Sequence, residues 1–335
     1  MTEGTMHEHR EGLDRRAFVG LAASCGVHLL WVTGRPWTLG RSADALVRQG
    51  RVVSEEPWGR LESLADGLWA LISTPLDGDR TTLCNGGIVA GRDGVLMVEG
   101  FGTVEGAQWM AAEAHRLTGR APTHVVLTHF HGDHTGGIAG YAGHGAVMRV
   151  TAATRDLVLQ EDARRTPADG SVRAELLADA VLVDPAVETR IDLGGRTVRV
   201  VPREGHTPSD LTVEVGDPSV VFCGDLVWNR MFPNYRDAIP SRLGRDVRAL
   251  VRSQETRYVP GHGPLADAGD LDRYVALIDD VEAHARRALE VGRPVAEAAA
   301  EYRVPEALGD WIMFSPRYYE VAFGAWEREL RGSRP

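Results

Sequence analysis

Residues 128–137 read Thr-His-Phe-His-Gly-Asp-His-Thr-Gly-Gly, which gathers His129, His131, Asp133 and His134 into one short run. Neutral imidazole nitrogen and carboxylate oxygen are the donors that a borderline divalent ion such as zinc takes, and a catalytic ion keeps one coordination position open for water. His129 and His131 are two apart, so an extended backbone points both the same way, while Asp133 and His134 turn with the loop that follows. Three later segments each end an apolar run with another candidate ligand: Glu204-Gly205-His206-Thr207, Phe222-Cys223-Gly224-Asp225-Leu226 and Val259-Pro260-Gly261-His262-Gly263. Taken singly, a histidine or aspartate beside glycine is a common turn residue. Jointly, and in this order after the cluster, they form a metal constellation.

These motifs carry a resemblance. Over about residues 60–290 the sequence is similar to the metallo-β-lactamase fold superfamily of metal-dependent hydrolases, with His129, His131, Asp133, His134, His206, Asp225 and His262 each standing in the expected local motif. The resemblance implies an α/β fold, a four-layer αβ/βα sandwich whose halves meet at a shallow groove holding two Zn²⁺, with iron as the alternative metal. It also implies that His129, His131 and His206 bind the first ion, that Asp133, His134 and His262 bind the second, and that Asp225 bridges them.

The chemistry follows from electrostatics. Two dications lower the pKa of a shared water from 15.7 toward about 7, so a bridging hydroxide is available near neutrality to attack a carbonyl. One ion polarises that carbonyl and the other steadies the leaving atom. Asp225 and Asp133 are the candidate catalytic carboxylates, Asp225 also as a proton carrier. An ester, lactone, thioester or amide of a small molecule is the expected substrate. An aspartate at the bridging place is similar to thioesterase-like and lactonase-like relatives, and less so to the resistance lactamases. The alternative reading is an iron-dependent persulfide dioxygenase on the same fold, since the same histidines hold iron. A β-lactamase, a nuclease and a non-catalytic module rank lower.

Composition narrows the field. The chain has 335 residues, a formal net charge of −10 and no lysine, so a lysine Schiff base is excluded and phosphate-backbone binding is disfavoured; no nucleic-acid partner is expected. Cys25, Cys84 and Cys223 are too few and too scattered for a disulfide framework. Cys223 stands two positions before Asp225 and would share its strand face, so a place near the metals is weighed against plain packing.

The ligands need elements to hold them. His124 to Thr128 reads as a short buried strand that delivers His129 at its carboxyl end, where open α/β sheets commonly place their chemistry. Leu68 to Thr74, Leu83 to Ala90 and Gly94 to Val98 read as strands, and Val104 to Leu117 as a helix. Ala146 to Val150 supplies a further strand. In the second half Thr189 to Leu193 and Thr197 to Val201 flank Gly194-Gly195, and Leu211 to Val215 and Ser219 to Phe222 flank Gly216-Asp217-Pro218. Arg245 to Ser253 reads as a helix, Arg257 to Val259 as a strand and Leu271 to Val291 as a long helix. Asn229 and Arg230 read as surface loop, with a contact to the groove as the alternative. The segment Pro75 to Thr81 is a candidate flap. Residues 294–335 read as a helical C-terminal extension whose aromatics pack on the body or line the entrance.

The first 45 residues read as a leader and linker. Arg15-Arg16 opens an apolar stretch in the manner of a twin-arginine export signal, so the expected location is periplasmic or extracellular, with the cytoplasm as the alternative. Ala43-Asp44-Ala45 offers a cleavage site. Contact with a membrane is expected only through export or a leader anchor.

Overall fold

The structure, a computed structural model, describes residues 50–73, 84–165, 172–250 and 253–332. The leader and the candidate flap lie outside the described residues. Among the described residues no helix is long and apolar enough to cross a membrane.

Two sheets build the described part of the molecule. The first has eight strands in sequential order: β1 (Arg51–Glu56), β2 (Gly59–Ala65), β3 (Leu68–Ser73), β4 (Gly86–Ala90), β5 (Val95–Val98), β6 (His124–Val126), β7 (Val147–Thr151) and β8 (Val181–Val183). Strands β1 to β5 are antiparallel hairpins, and β5 to β8 run parallel. Parallel pairing requires crossovers. These are supplied by helices α1 (Val104–Thr118), the single turn α2 (Gly132–Thr135), α3 (Ala152–Arg165) and α4 (Val172–Ala178). The second sheet has five strands: β9 (Thr189–Asp192), β10 (Thr197–Arg203), β11 (Asp210–Val215), β12 (Val220–Trp228) and β13 (Arg257–His262). The crossover from β12 to its parallel neighbour β13 carries α5 (Pro240–Leu250).

Side-chain alternation sorts the core into three layers. On β5 and β6, Leu96, Val98 and Val126 face the second sheet and meet Val198, Val200, Val213 and Phe222 there. Met97, Val125 and Leu127 face the other way, onto Met110, Ala111 and Ala114 of α1. The outer face of the second sheet packs on α5 and on α6 (Ala268–Glu290), through Leu243, Val247, Tyr274 and Ile278. Helix, sheet, sheet, helix is the four-layer αβ/βα sandwich, the metallo-β-lactamase fold. α6 begins with a capping box in which Asp267 accepts from the Asp270 amide, a device that stabilises a helix start by about 1 kcal/mol.

Several boundaries differ from the sequence reading. Strands β1 and β2 precede Arg60 or straddle it; their short, partly exposed pattern gives little apolar periodicity to read. Strand β12 runs on to Trp228 because all nine of its residues are buried, so Asp225 lies inside a strand rather than after one. α3, α4 and β8 were not anticipated either. The C-terminal region is helical, with α7 (Val295–Glu301) and α8 (Tyr318–Gly332), and Phe323 and Trp326 of α8 are fully buried against α6 and α7.

Candidate metal centre

All seven expected residues converge at the carboxyl ends of strands from both sheets. His129 and His131 follow β6, Asp133 and His134 lie in α2, His206 sits in the loop between β10 and β11, Asp225 sits on β12 and His262 closes β13. Their donor atoms form two groups, His129, His131, His206 and Asp225 in one, Asp133, His134 and His262 in the other, each within 4.8 Å. In the first group His131 Nδ1 lies 3.1 Å from His129 Nε2 and 3.0 Å from His206 Nε2. Ligands at 2.0–2.1 Å in a tetrahedron stand about 3.3 Å apart, so three imidazoles already present nearly that spacing.

Asp225 faces both groups with different oxygens. Oδ2 is 3.2 Å from His206 Nε2, whereas Oδ1 is 3.1 Å from His134 Nε2 and 3.3 Å from His262 Nε2. Asp133 Oδ2 lies 3.2 Å from His262 Nε2 on the more open side of the cluster. Two glycines make this convergence possible. Gly224, at φ 53°, would bring a Cβ within 2.6 Å of Thr128 Oγ1, and a Cβ on Gly261 would collide with the Asp225 carboxylate.

A metal fits this set on observations of the protein itself. His134 Nε2, His262 Nε2 and Asp225 Oδ1 are buried with no hydrogen-bond partner among the described residues, and orphaned buried polar atoms are costly unless something absent satisfies them. Burial alone would raise the Asp225 carboxyl, but His262, His134 and His206 hold it well below the usual range. Burial likewise opposes Asp133, yet His134 and His262 bring it down to about 2. The burial cost on His262 is overcome by Asp225 and Asp133, which push it up to about 9. Anionic carboxylates thus attract positive charge to this point, and divalent ions supply it more compactly than imidazolium.

A ring of further residues, absent from the sequence reading, orients the ligands. Thr128 Oγ1 donates to Glu99 Oε1 at 2.5 Å and so accepts from His129 Nδ1 at 3.0 Å, which leaves Nε2 unprotonated and pointing inward. Asp237 Oδ2 accepts from His131 Nε2 at 2.9 Å and fixes the opposite tautomer there. Burial raises the Asp237 carboxyl, but His131 and Arg236 bring it below its ordinary value. Glu99 itself sits at φ 82°, a left-handed conformation that costs roughly 1–3 kcal/mol outside glycine. Asn85 ties the sheets together beneath His262, its amide donating to the carbonyls of Pro260 at 3.0 Å and Gly263 at 2.7 Å.

One expectation changes. Asn229 is buried, not a surface loop residue, and its amide donates to Pro264 O and Leu265 O, both at 3.0 Å, holding the loop after His262. Cys223 packs on the helix side with Val221 and Tyr258; the register shift at Gly224 breaks the alternation that would bring it beside Asp225. The cysteine that does interact with a ligand is Cys84, whose thiol burial pushes up to about 12 while His134 pulls it down. His124, at the far end of β6, meets the Thr123 hydroxyl instead of the cluster.

Comparison with known proteins agrees with this geometry. Residues 80–262 match the Metallo-beta-lactamase superfamily. The chain is 31% identical over 210 residues to a hydroxyacylglutathione hydrolase of Acidiphilium cryptum, covering 62% of this chain and 75% of that protein. It is 24% identical over 279 residues to the 2,4-dinitroanisole O-demethylase subunit beta of a Nocardioides species, covering 81% and 80%. Among solved structures a sec-alkylsulfatase from a Pseudomonas species superposes with a TM-score of 0.65 at 17% identity, over 82% of this chain and 50% of that one, a likeness of fold alone. Sandwich architecture, a histidine and aspartate cluster in two groups, and a match over more than half its length place the chain in the metallo-beta-lactamase superfamily.

Proposed function

We propose that the protein is a hydrolase of small-molecule carboxylic esters or thioesters that works with two divalent ions, zinc in the first instance. The observation that carries this is the Asp225 carboxylate, with one oxygen turned to each ligand group. His129, His131 and His206 would hold one ion and Asp133, His134 and His262 the other. When bound, the ions supply Lewis-acid polarisation of the substrate carbonyl and acidification of a water molecule. The hydrolase relative acts on a hydroxyacylglutathione by its name, which supports the thioester arm.

The protein's own residues do the rest. Thr128 and Asp237 hold the imidazoles of His129 and His131 so that no reorganisation is needed during turnover. Of the two candidate catalytic carboxylates, Asp225 has both oxygens committed to ligand groups. Asp133 meets the histidines through Oδ2 and its side chain is partly exposed, so its carboxylate is the better place for a proton released as water attacks.

The test is a screen of esters, lactones, thioesters and β-lactams on protein whose metal content has been quantified. Hydrolysis that scales with zinc content is expected. Stoichiometric iron, oxygen consumption with a persulfide and no hydrolysis of any of the four would move the assignment to the sulfur dioxygenase. Export through the Arg15-Arg16 leader belongs to the same proposal, and cell fractionation with and without an Arg15→Ala, Arg16→Ala change checks it.

A further inference from the structure

The C-terminal segment contributes to the metal centre as well as to the core. Directly after β12 the backbone pairs with residue 312: Ile312 N donates to Arg230 O at 3.0 Å, and Phe232 N donates to Ile312 O at 2.9 Å. This short parallel bridge fixes Phe314 two residues on, with its ring perpendicular to His262 at a centroid distance of 5.8 Å and to Trp228 at 5.7 Å. Trp228 in turn lies 4.1 Å from the His262 ring, and Tyr318 stands edge-on to Trp228 at 6.3 Å. His262 and Trp228 are buried, whereas Phe314 and Tyr318 remain partly open to solvent. The second ligand group is therefore flanked by an aromatic wall that is partly open to solvent.

Charge points the same way. The arginines on these segments each stand near a carboxylate: Arg230 at 3.6 Å from Asp270, Arg317 at 3.5 Å from Glu320 and Arg236 at 4.0 Å from Asp237. With no lysine in the chain and a carboxylate beside each of these arginines, the segments that carry the wall offer little net positive charge to a carboxylate-rich group such as glutathione. An aromatic ring presented to an aromatic wall gains edge-to-face contact in addition to burial.

We infer that Phe314 and Tyr318 determine specificity, selecting uncharged esters or thioesters that carry an aromatic group, in preference to anionic conjugates. This rests on the hydrolase reading, so the experiment has an arm that does not need turnover. The first arm compares kcat/KM for a phenylacetyl thioester of a neutral thiol, the acetyl thioester of the same thiol and a glutathione thioester. The wild-type holoenzyme is expected to prefer the phenylacetyl substrate, and Phe314→Ala to reduce the phenylacetyl-to-acetyl ratio at least ten-fold. Equal losses on both substrates, or a preference for the glutathione thioester, would overturn the inference. The second arm titrates the metal-loaded protein with N-(1-naphthyl)acetamide by calorimetry. Binding that weakens at least ten-fold in Phe314→Ala and less in Phe314→Leu, with unchanged metal content, supports the aromatic wall even if no thioester is cleaved. Absence of binding in the wild type overturns it, whatever the hydrolysis assays give.

Discussion

His129 and His131, on one side of Asp225, have their outer ring nitrogens engaged by the Thr128 hydroxyl and the Asp237 carboxylate. His134 and His262, on the other side, have their outer nitrogens buried without a hydrogen-bond partner among the described residues, although Glu99 Oε1 stands 3.1 Å from His134 Nδ1. Two of the three imidazoles of the first group are thus oriented by hydrogen bonds, His206 Nδ1 being without a partner among the described residues, whereas the second group is held by packing, through Trp228 against His262 and the loop held by Asn85 and Asn229. An outer partner fixes tautomer and ring angle and raises ligand basicity. The first group should therefore hold its ion more tightly, and the second should be the adaptable one, next to the aromatic wall where substrates differ.

The strongest test of that contrast is Asp225→Asn, because this carboxylate belongs to both groups. Turnover and affinity for both ions should fall by more than the roughly 10–100-fold typical of losing an outer partner, measured as kcat alongside metal content by mass spectrometry. Two ions retained at full affinity with turnover lost would instead mark Asp225 as a proton carrier. In the wild type, chelator titration should remove the ions in two steps whose affinities differ by about ten-fold or more. A single step would erase the difference between the groups. Asp237→Ala should weaken the tighter step by roughly 10–100-fold and bring the two together, while Asp237→Asn, whose amide oxygen still accepts from His131, should do less.

How much of this could be read from the sequence depended on distance along the chain. The cluster from His129 to His134 declared itself because the ligands are neighbours, and β5, α1 and β6 were legible because their periodicity is strong and local. Glu99, Thr128 and Asp237 were not legible as orienting groups. Each is an ordinary polar residue whose partner is chosen by the fold; His131 and Asp237 are brought together only after β6 and the approach to α5 are in place. Asn229 misled for the same reason, since a polar residue beside a strand end looks exposed until the loop after His262 folds over it. The aromatic run from Trp311 to Tyr319 showed that it packs, but only the bridge between Met231 and Ile312 shows against what.

A smaller effect sharpens the comparison from behind the first group. Asp210 is buried and accepts from the Thr207 amide and hydroxyl, one residue past His206. Burial raises its carboxyl to about 7 against the opposing pull of Thr207 and His131. A carboxyl raised on folding binds its proton more tightly in the native state, so its contribution to stability is present at low pH. That contribution declines as pH rises from about 4 to about 7. In metal-depleted protein, Asp210→Asn should remove this decline, and the difference in Tm between variant and wild type should grow in the variant's favour across that window. Positive charge at His131 already favours the charged form of Asp210, and an ion in the first group would add to it, so loading that group alone should flatten the wild-type profile. If flattening appears only when the second group fills, the order of affinities argued from Thr128 and Asp237 is reversed.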